Sequence, residues 1–194
     1  PTRMGTYEPF QERLELGDDA PFLALATEQA AVPFGGSFSW KARTPCLGGH
    51  SSLADPRPIA RRPVHLPAPA NWSMDFDERA LETDPRWCEA VVALFAKVAE
   101  ALGCFYAASV VERDVILGRG TTWYDGKSEV VNVRTGVAEL GMWWQGLPSI
   151  PTWLAWFGWP YRAELDGGLA GTERRGDGLF LRCGAKPLDT SQLS

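Results

Sequence analysis

The sequence predicts an α+β fold in one domain, 1–194, with a mixed or antiparallel sheet. Three observations carry this expectation. One long amphipathic helix stands out over 84–102. Several short segments alternate apolar and polar residues with the period of a half-buried strand. The 194 residues hold no internal repeat and no linker-like tract, and that length fits a single domain.

Residues 1–35 are weakly patterned. Phe22, Leu23, Leu25 and Ala26 make one short helical face after Asp18 or Asp19 as cap, and Pro33 with Gly35-Gly36 closes it. Ser37 to Arg43 reads as a strand, because Phe38, Trp40 and Ala42 alternate with Ser39, Lys41 and Arg43. Thr44 to Arg62 is rich in Pro, Gly and Ser and reads as a long loop, 44–62. Val64 to Leu66 is confined by Pro63 and Pro67 to an edge or isolated extended piece. Trp72, Met74 and Phe76 alternate with Ser73, Asp75 and Asp77, a second strand signature.

The long helix has both ends written into it. Asp84 is a good N-cap and Pro85 sits where its missing N–H costs nothing. Apolar residues at 87, 91, 94, 95, 98 and 102 trace one stripe, and Gly103 supplies a left-handed C′ position. Cys104 to Val111 follows as a nearly continuous apolar strand, which suggests cover on both faces. Val115 to Leu117, then Val130, Val131 and Val133, carry strand propensity, and Asp125-Gly126 suits a tight turn. Short helices are expected near 151–165, one over Thr152 to Phe157 and a second short piece over Pro160 to Leu165. Leu179, Leu181 and Cys183 mark a last strand after Asp177-Gly178.

Composition narrows the function classes. Lys plus Arg is 19 against 24 Asp plus Glu, a net charge of -5. That balance argues against unaided nucleic-acid binding, which needs clustered cations. The longest apolar run, Ala90 to Ala96, is far short of the ~20 residues of a membrane helix. Pro1 to Phe10 is polar and irregular, without a signal-segment pattern, and a first residue of Pro leaves the native start open. Cys46, Cys88, Cys104 and Cys183 form no close pair and read as reduced thiols, with a cytoplasmic location expected.

No catalytic signature emerges. Cys46, His50 and His65 offer one loose pair where zinc wants four ligands, so neither metal nor cofactor is expected. Gly118-Arg119-Gly120 lacks the rest of a dinucleotide fingerprint. Asp75, Asp77, Glu78 and Glu82 form an acidic group that reads first as a solvated turn and helix start, then as a patch for a basic partner. The most unusual feature is aromatic: Trp143, Trp144, Trp153, Trp156, Trp159 and Tyr161 lie within nineteen residues. Packed, they are a core; exposed, they are hot-spot residues for a protein partner.

The order of elements resembles a known family. The helix Arg86 to Leu102, Gly103, the strand Phe105-Tyr106-Ala107-Ala108-Ser109, the run Pro151-Thr152-Trp153-Leu154-Ala155-Trp156-Phe157-Gly158, and the ending Gly178 to Gly184 with Lys186-Pro187-Leu188-Asp189 are similar to bacterial polymorphic-toxin immunity proteins, in particular the immunity-protein-52 family. The resemblance covers about residues 36 to 190 and leaves out 1–35 and the 44–62 segment. It implies a non-catalytic cytoplasmic protein that neutralises a cognate toxin by one-to-one binding. The implied toxin is a restriction-endonuclease-like effector delivered by contact-dependent or type VI secretion. The family supplies no fixed binding motif. The expected contacts are therefore read from this chain: Asp75, Asp77, Glu78, Glu82, Trp143, Trp144, Trp156 and Trp159. Two other readings stay open, a small hydrolase or transferase using Cys46, His50 and His65, and a structural or ligand-binding module of a secretion-type assembly. Oligomeric state is not legible.

Overall fold

A computed structural model describes residues 2–6, 10, 12–15, 17–33, 35–53, 70–109, 111, 115–117, 122–124, 138–140, 143–145, 152–159 and 161–187. The architecture is α+β, and its strand pairings are antiparallel. By contacts the chain divides into two compact units, Pro1–Asp77 and Glu78–Ser194.

Among the described residues the first unit is a five-stranded sheet with one helix. Its strands are β1 (Thr2–Gly5), β2 (Glu12–Leu14), β3 (Ser37–Lys41), β4 (Cys46–Ser52) and β5 (Asn71–Phe76), in the order β2-β1-β3-β4-β5. The helix α1 (Ala20–Ala30) follows Asp19, and the Asp18 carboxylate accepts the Ala20 N–H at 3.2 Å. Met4, Leu25, Phe38 and Trp40 form the core, with Phe22, Trp72 and Met74 packed against it. Alternation along β3 puts Phe38 and Trp40 inside and Ser37 and Lys41 outside, as the period-2 pattern predicts.

The expected 44–62 loop is corrected over its first part, where Cys46–Ser52 is the strand β4. Its glycines are packing residues rather than loop punctuation. A Cβ on Gly49 would overlap the Trp40 indole and the Ser73 carbonyl, and one on Gly48 would overlap the Trp40 carbonyl. A large ring on β3 requires a side-chain-free neighbour on β4. Residues 54–62, and the extended piece at Val64 to Leu66, lie outside the described residues.

The second unit opens with α2 (Glu78–Thr83) and the long helix α3 (Pro85–Ala101). Both predicted ends of α3 are present. The Asp84 side chain accepts the Arg86 N–H at 3.0 Å. Gly103 takes φ 59°, its N–H meets the Glu100 carbonyl at 3.0 Å, and the Cys104 N–H meets that of Ala99 at 2.9 Å. This is a Schellman termination.

A four-stranded sheet follows, in the order β12-β13-β11-β6, from β6 (Tyr106–Ala108), β11 (Leu154–Phe157), β12 (Thr172–Arg175) and β13 (Gly178–Arg182). Two antiparallel pairs, β7 (Val115–Leu117) with β8 (Thr122–Tyr124) and β9 (Ala138–Leu140) with β10 (Trp143–Gln145), are the other strands among the described residues. The turn at Asp125-Gly126 and the valines 130, 131 and 133 lie outside the described residues. The helix expected over Thr152 to Phe157 is a strand, and every residue from Thr152 to Gly158 is buried. A strand covered on both faces shows no alternation, so its apolar run mimics a short buried helix. The strand expected to be covered on both faces, after Gly103, is instead half-buried β6 at the sheet edge. The second expected short helix is α4 (Tyr161–Leu165). On one face of β11, Ala155 and Phe157 pack with Tyr161 of α4 and Leu179. On the other, Trp156 lies over Gly178, where a Cβ would meet its ring, and α3 contributes Phe95, 6.1 Å from Phe180 ring to ring.

Candidate functional site

The side of α3 that reaches the core overlaps the predicted stripe only in part. Its buried residues are Cys88, Val91, Val92, Ala96 and Ala99. At 100° per residue this face is centred about a quarter turn from the stripe through 87, 94, 98 and 102. Val91 serves both. Phe95 and Val98 of the stripe are half-buried, and its other three residues are left toward solvent: Trp87 is 43% exposed, Leu94 38% and Leu102 54%. Ala90, Ala93, Lys97 and Ala101 are exposed beside them. Positions 87, 90, 94, 97 and 101 follow the three-four spacing of a helix-docking seam. Four of these five are apolar, and Lys97 is the one charge.

Between α3 and the β12–β13 hairpin lies a groove of ≈ 270 Å³. Val92, Ala93 and Phe180 give it an apolar floor, and its charges come as pairs. Arg182 of β13 holds Glu89 of α3 through two hydrogen bonds of 2.7 and 3.0 Å, and also donates to the Gly184 and Ala185 carbonyls. Arg175 holds Glu173 at 3.0 and 3.1 Å and lies 4.9 Å from the Phe180 ring centroid. These forks fix the groove wall. The Arg182 hydrogen bond pulls the Glu89 carboxyl below its ordinary value.

The expected contact residues fall in different settings. Asp75 is exposed on β5, and the half-buried Asp77 donates its N–H to the Pro45 carbonyl at 2.9 Å. Glu78 begins α2, and Glu82 is exposed on it. Trp143 and Trp144 are in β10, and their side chains lie outside the described set. Trp156 is corrected from surface to core: it is 2% exposed and donates its indole N–H to the Cys104 carbonyl at 3.0 Å. The strand register turns it onto the face covered by α3. Trp159 is 52% exposed. It follows Gly158, whose N–H bonds the Phe105 carbonyl, three residues beyond exposed Leu102.

Cys46 and His50 both sit on β4, while His65 lies outside the described residues. The His50 Nδ1 is 2.9 Å from the Ser39 hydroxyl. Burial raises the Cys46 thiol above its ordinary 9.0; a backbone hydrogen bond with Gly48 opposes this, and the Asp75 carboxylate adds to the rise. A thiol so placed stays protonated at neutral pH and is a poor nucleophile. Among the described residues no group of three His, Cys, Asp or Glu is arranged to hold a metal ion. No helix among them is long and apolar enough to cross a membrane. All four cysteines are free thiols.

Sequence reasoning missed Trp87, Leu94 and Leu102 as surface residues. The available signal was the width of the apolar arc on α3, which exceeds what one packed face needs. Comparison with protein-family models, curated proteins and solved structures gives no match.

Proposed function

We propose that this chain is a non-catalytic binding protein that neutralises a cognate antibacterial toxin by one-to-one association. The family resemblance implies that activity. The observation that carries a protein-binding role is the outer face of α3, where Trp87, Leu94 and Leu102 stand in water on one side of a well-capped helix. Large apolar side chains on a rigid element are the usual anchors of protein interfaces. Trp159 adds a fourth exposed anchor. A nuclease-type effector from a type VI or contact-dependent system, met in the cytoplasm of the producing cell, is the partner in this reading. Such an effector carries cations for its substrate. Asp75, Asp77, Glu78 and Glu82, in a chain of net charge -5, would then speed encounter.

The test is a pull-down with the products of adjacent genes, followed by titration calorimetry. A tight one-to-one complex supports the reading. Trp87→Ala or Leu94→Asp should weaken it by about 2 kcal/mol or more, roughly thirtyfold. Reversal of Asp75 and Asp77 to Lys should slow association at low salt and flatten its salt dependence. Absence of any partner at micromolar concentration overturns the proposal.

The hydrolytic reading through Cys46, His50 and His65 gains less support. Its nucleophile has a raised pKa, and its imidazole is engaged with Ser39. Turnover abolished by alkylation of Cys46 would revive it.

A further inference from the structure

The exposed arc of α3 is ordered in a way that selects what it can receive. At 100° per residue, Ala90, Ala101, Leu94, Trp87, Val98, Val91 and Leu102 follow one another around an arc of about 120°. No polar side chain interrupts it. Ala90, Leu94, Val98 and Leu102 are spaced by four and form a single ridge, small at its start and large at its end. Trp87 begins the neighbouring ridge, with Val91 behind it. From Trp87 to Leu102 the arc runs about 22 Å, or four helical turns. Trp87, Ala90, Leu94, Ala101 and Leu102 are exposed along it.

Charge distinguishes the two edges of this arc. Beyond Leu102 the helix surface turns into the core, toward Phe95 and Cys88. Beyond Ala90 it carries Lys97 and then Arg86. Arg86 is paired with Asp84 at 2.7 Å. Lys97 is exposed, and among the described residues no carboxylate pairs with it. The two acids of α3 lie further round and are placed elsewhere. Glu89 is held by Arg182, and Glu100 covers Gly176 in the β12–β13 turn. The arc therefore offers an apolar ridge with one uncompensated cation along one edge.

We propose, resting on the protein-binding role of this face argued above, that its occupant is an α-helix of the partner protein. That helix presents an apolar ridge to Trp87, Leu94 and Leu102, and an acidic residue beside the ridge that meets Lys97. Rows spaced by four take the matching row of another helix between them, whereas a strand repeats every two residues and cannot follow them. A second α3 fits poorly. Antiparallel, it sets the Lys97 edge against the same edge of the other copy; parallel, against the edge beyond Leu102. Neither edge holds an acid. A bilayer is a worse match still, because a single uncompensated cation on a chain of net charge -5 gives an anionic surface little to hold. Long-range attraction brings a cationic effector close, and Lys97 selects which of its helices seats.

The test is amide NMR on the full chain at low salt, titrated with three designed 21-residue helices. The first carries leucine at a, alanine at d and glutamate on both flanks. The second has lysine in place of that glutamate, and the third is the first with a proline in its central heptad. The acidic helix should give saturable shifts at Trp87, Leu94 and Leu102 with a Kd of about 50 μM. The basic helix should bind about fivefold more weakly, and the proline-broken one should not saturate. Lys97→Glu, an exposed position, should reverse the order of the first two. An unchanged order in that variant overturns the proposal, as does equal binding of the broken helix. Shifts of the same residues by phosphatidylglycerol vesicles, or by raising the concentration of the chain alone, overturn it in favour of a membrane or a second copy. A pull-down partner weakened by Trp87→Ala, with no designed helix moving the arc, would leave the protein-binding role standing and remove the helix. No partner and no helix binding would remove both.

Discussion

Two tryptophans, one in each unit, rest on a glycine of a neighbouring strand. Trp40 covers Gly49, and Trp156 covers Gly178. A single methyl group at either glycine has nowhere to go, because the obstructing atoms belong to a buried ring. Gly49→Ala and Gly178→Ala should each lower stability by about 1–3 kcal/mol in chemical denaturation. Gly168→Ala is the control: its new methyl would meet only the Leu165 carbonyl, at 3.7 Å, and it should cost much less. The phenols of the second unit give a matching test at high pH. Burial pushes the Tyr106 hydroxyl from an ordinary 10.0 up to about 12, with Tyr161 raised for the same reason. The folded chain therefore holds these protons more tightly than the unfolded one. Their contribution is intact below pH 10 and is lost as pH rises toward 12. Thermal melts should show an alkaline decline over that window, reduced in Tyr106→Phe. A melting curve flat to pH 12 would contradict the burial of these groups.

At the scale of elements, α3 is the part that its own residues specify. Asp84, Pro85 and Gly103 are local signals, and each sits where a capping rule puts it. Asp84→Ala should lower the denaturation midpoint, because it removes the cap on the Arg86 N–H. The acid limb follows from two carboxyls. Hydrogen bonds from Arg86 lower Asp84 below its ordinary 3.8, and those from Arg182 lower Glu89 below its ordinary 4.5. Their stabilisation is present above those values and is lost as pH falls through the depressed folded ones. Asp84→Asn with Glu89→Gln should flatten the decline in melting temperature below pH 4.5. What the local pattern of α3 left open is which side goes inward. Trp87, Val91, Leu94 and Val98 make as good a ridge as Cys88, Val92, Ala96 and Ala99. The choice belongs to Trp156 and Phe180, more than fifty residues away. The same limit explains the two strands that were misread. β4 looks like a loop because its glycines answer to Trp40, on another strand. β11 looks like a helix because cover on both faces erases its period.

For the molecule as a whole, the α+β class was legible and the placement of chemistry was not. Ser39 and His50 are eleven residues apart, and only the β3–β4 register makes them neighbours. Arg13, Arg3 and Lys41 are likewise unremarkable in sequence and adjacent only across β2, β1 and β3. Composition alone gave a chain of charge -5 with nine Trp. It did not say which rings face water.

That division of the rings has a use in spectroscopy. An indole in the core emits at shorter wavelength than one in water and is shielded from ionic quenchers. Trp40, Trp153 and Trp156 belong to the first kind, Trp87 and Trp159 to the second. Iodide should therefore extinguish one part of the emission and spare another. A partner seated on the outer face of α3 should remove Trp87 from the quenchable part and shift its light to the blue. The chain thus carries its own optical gauge of occupancy at that face, and a Trp87→Phe variant would identify that part of the signal.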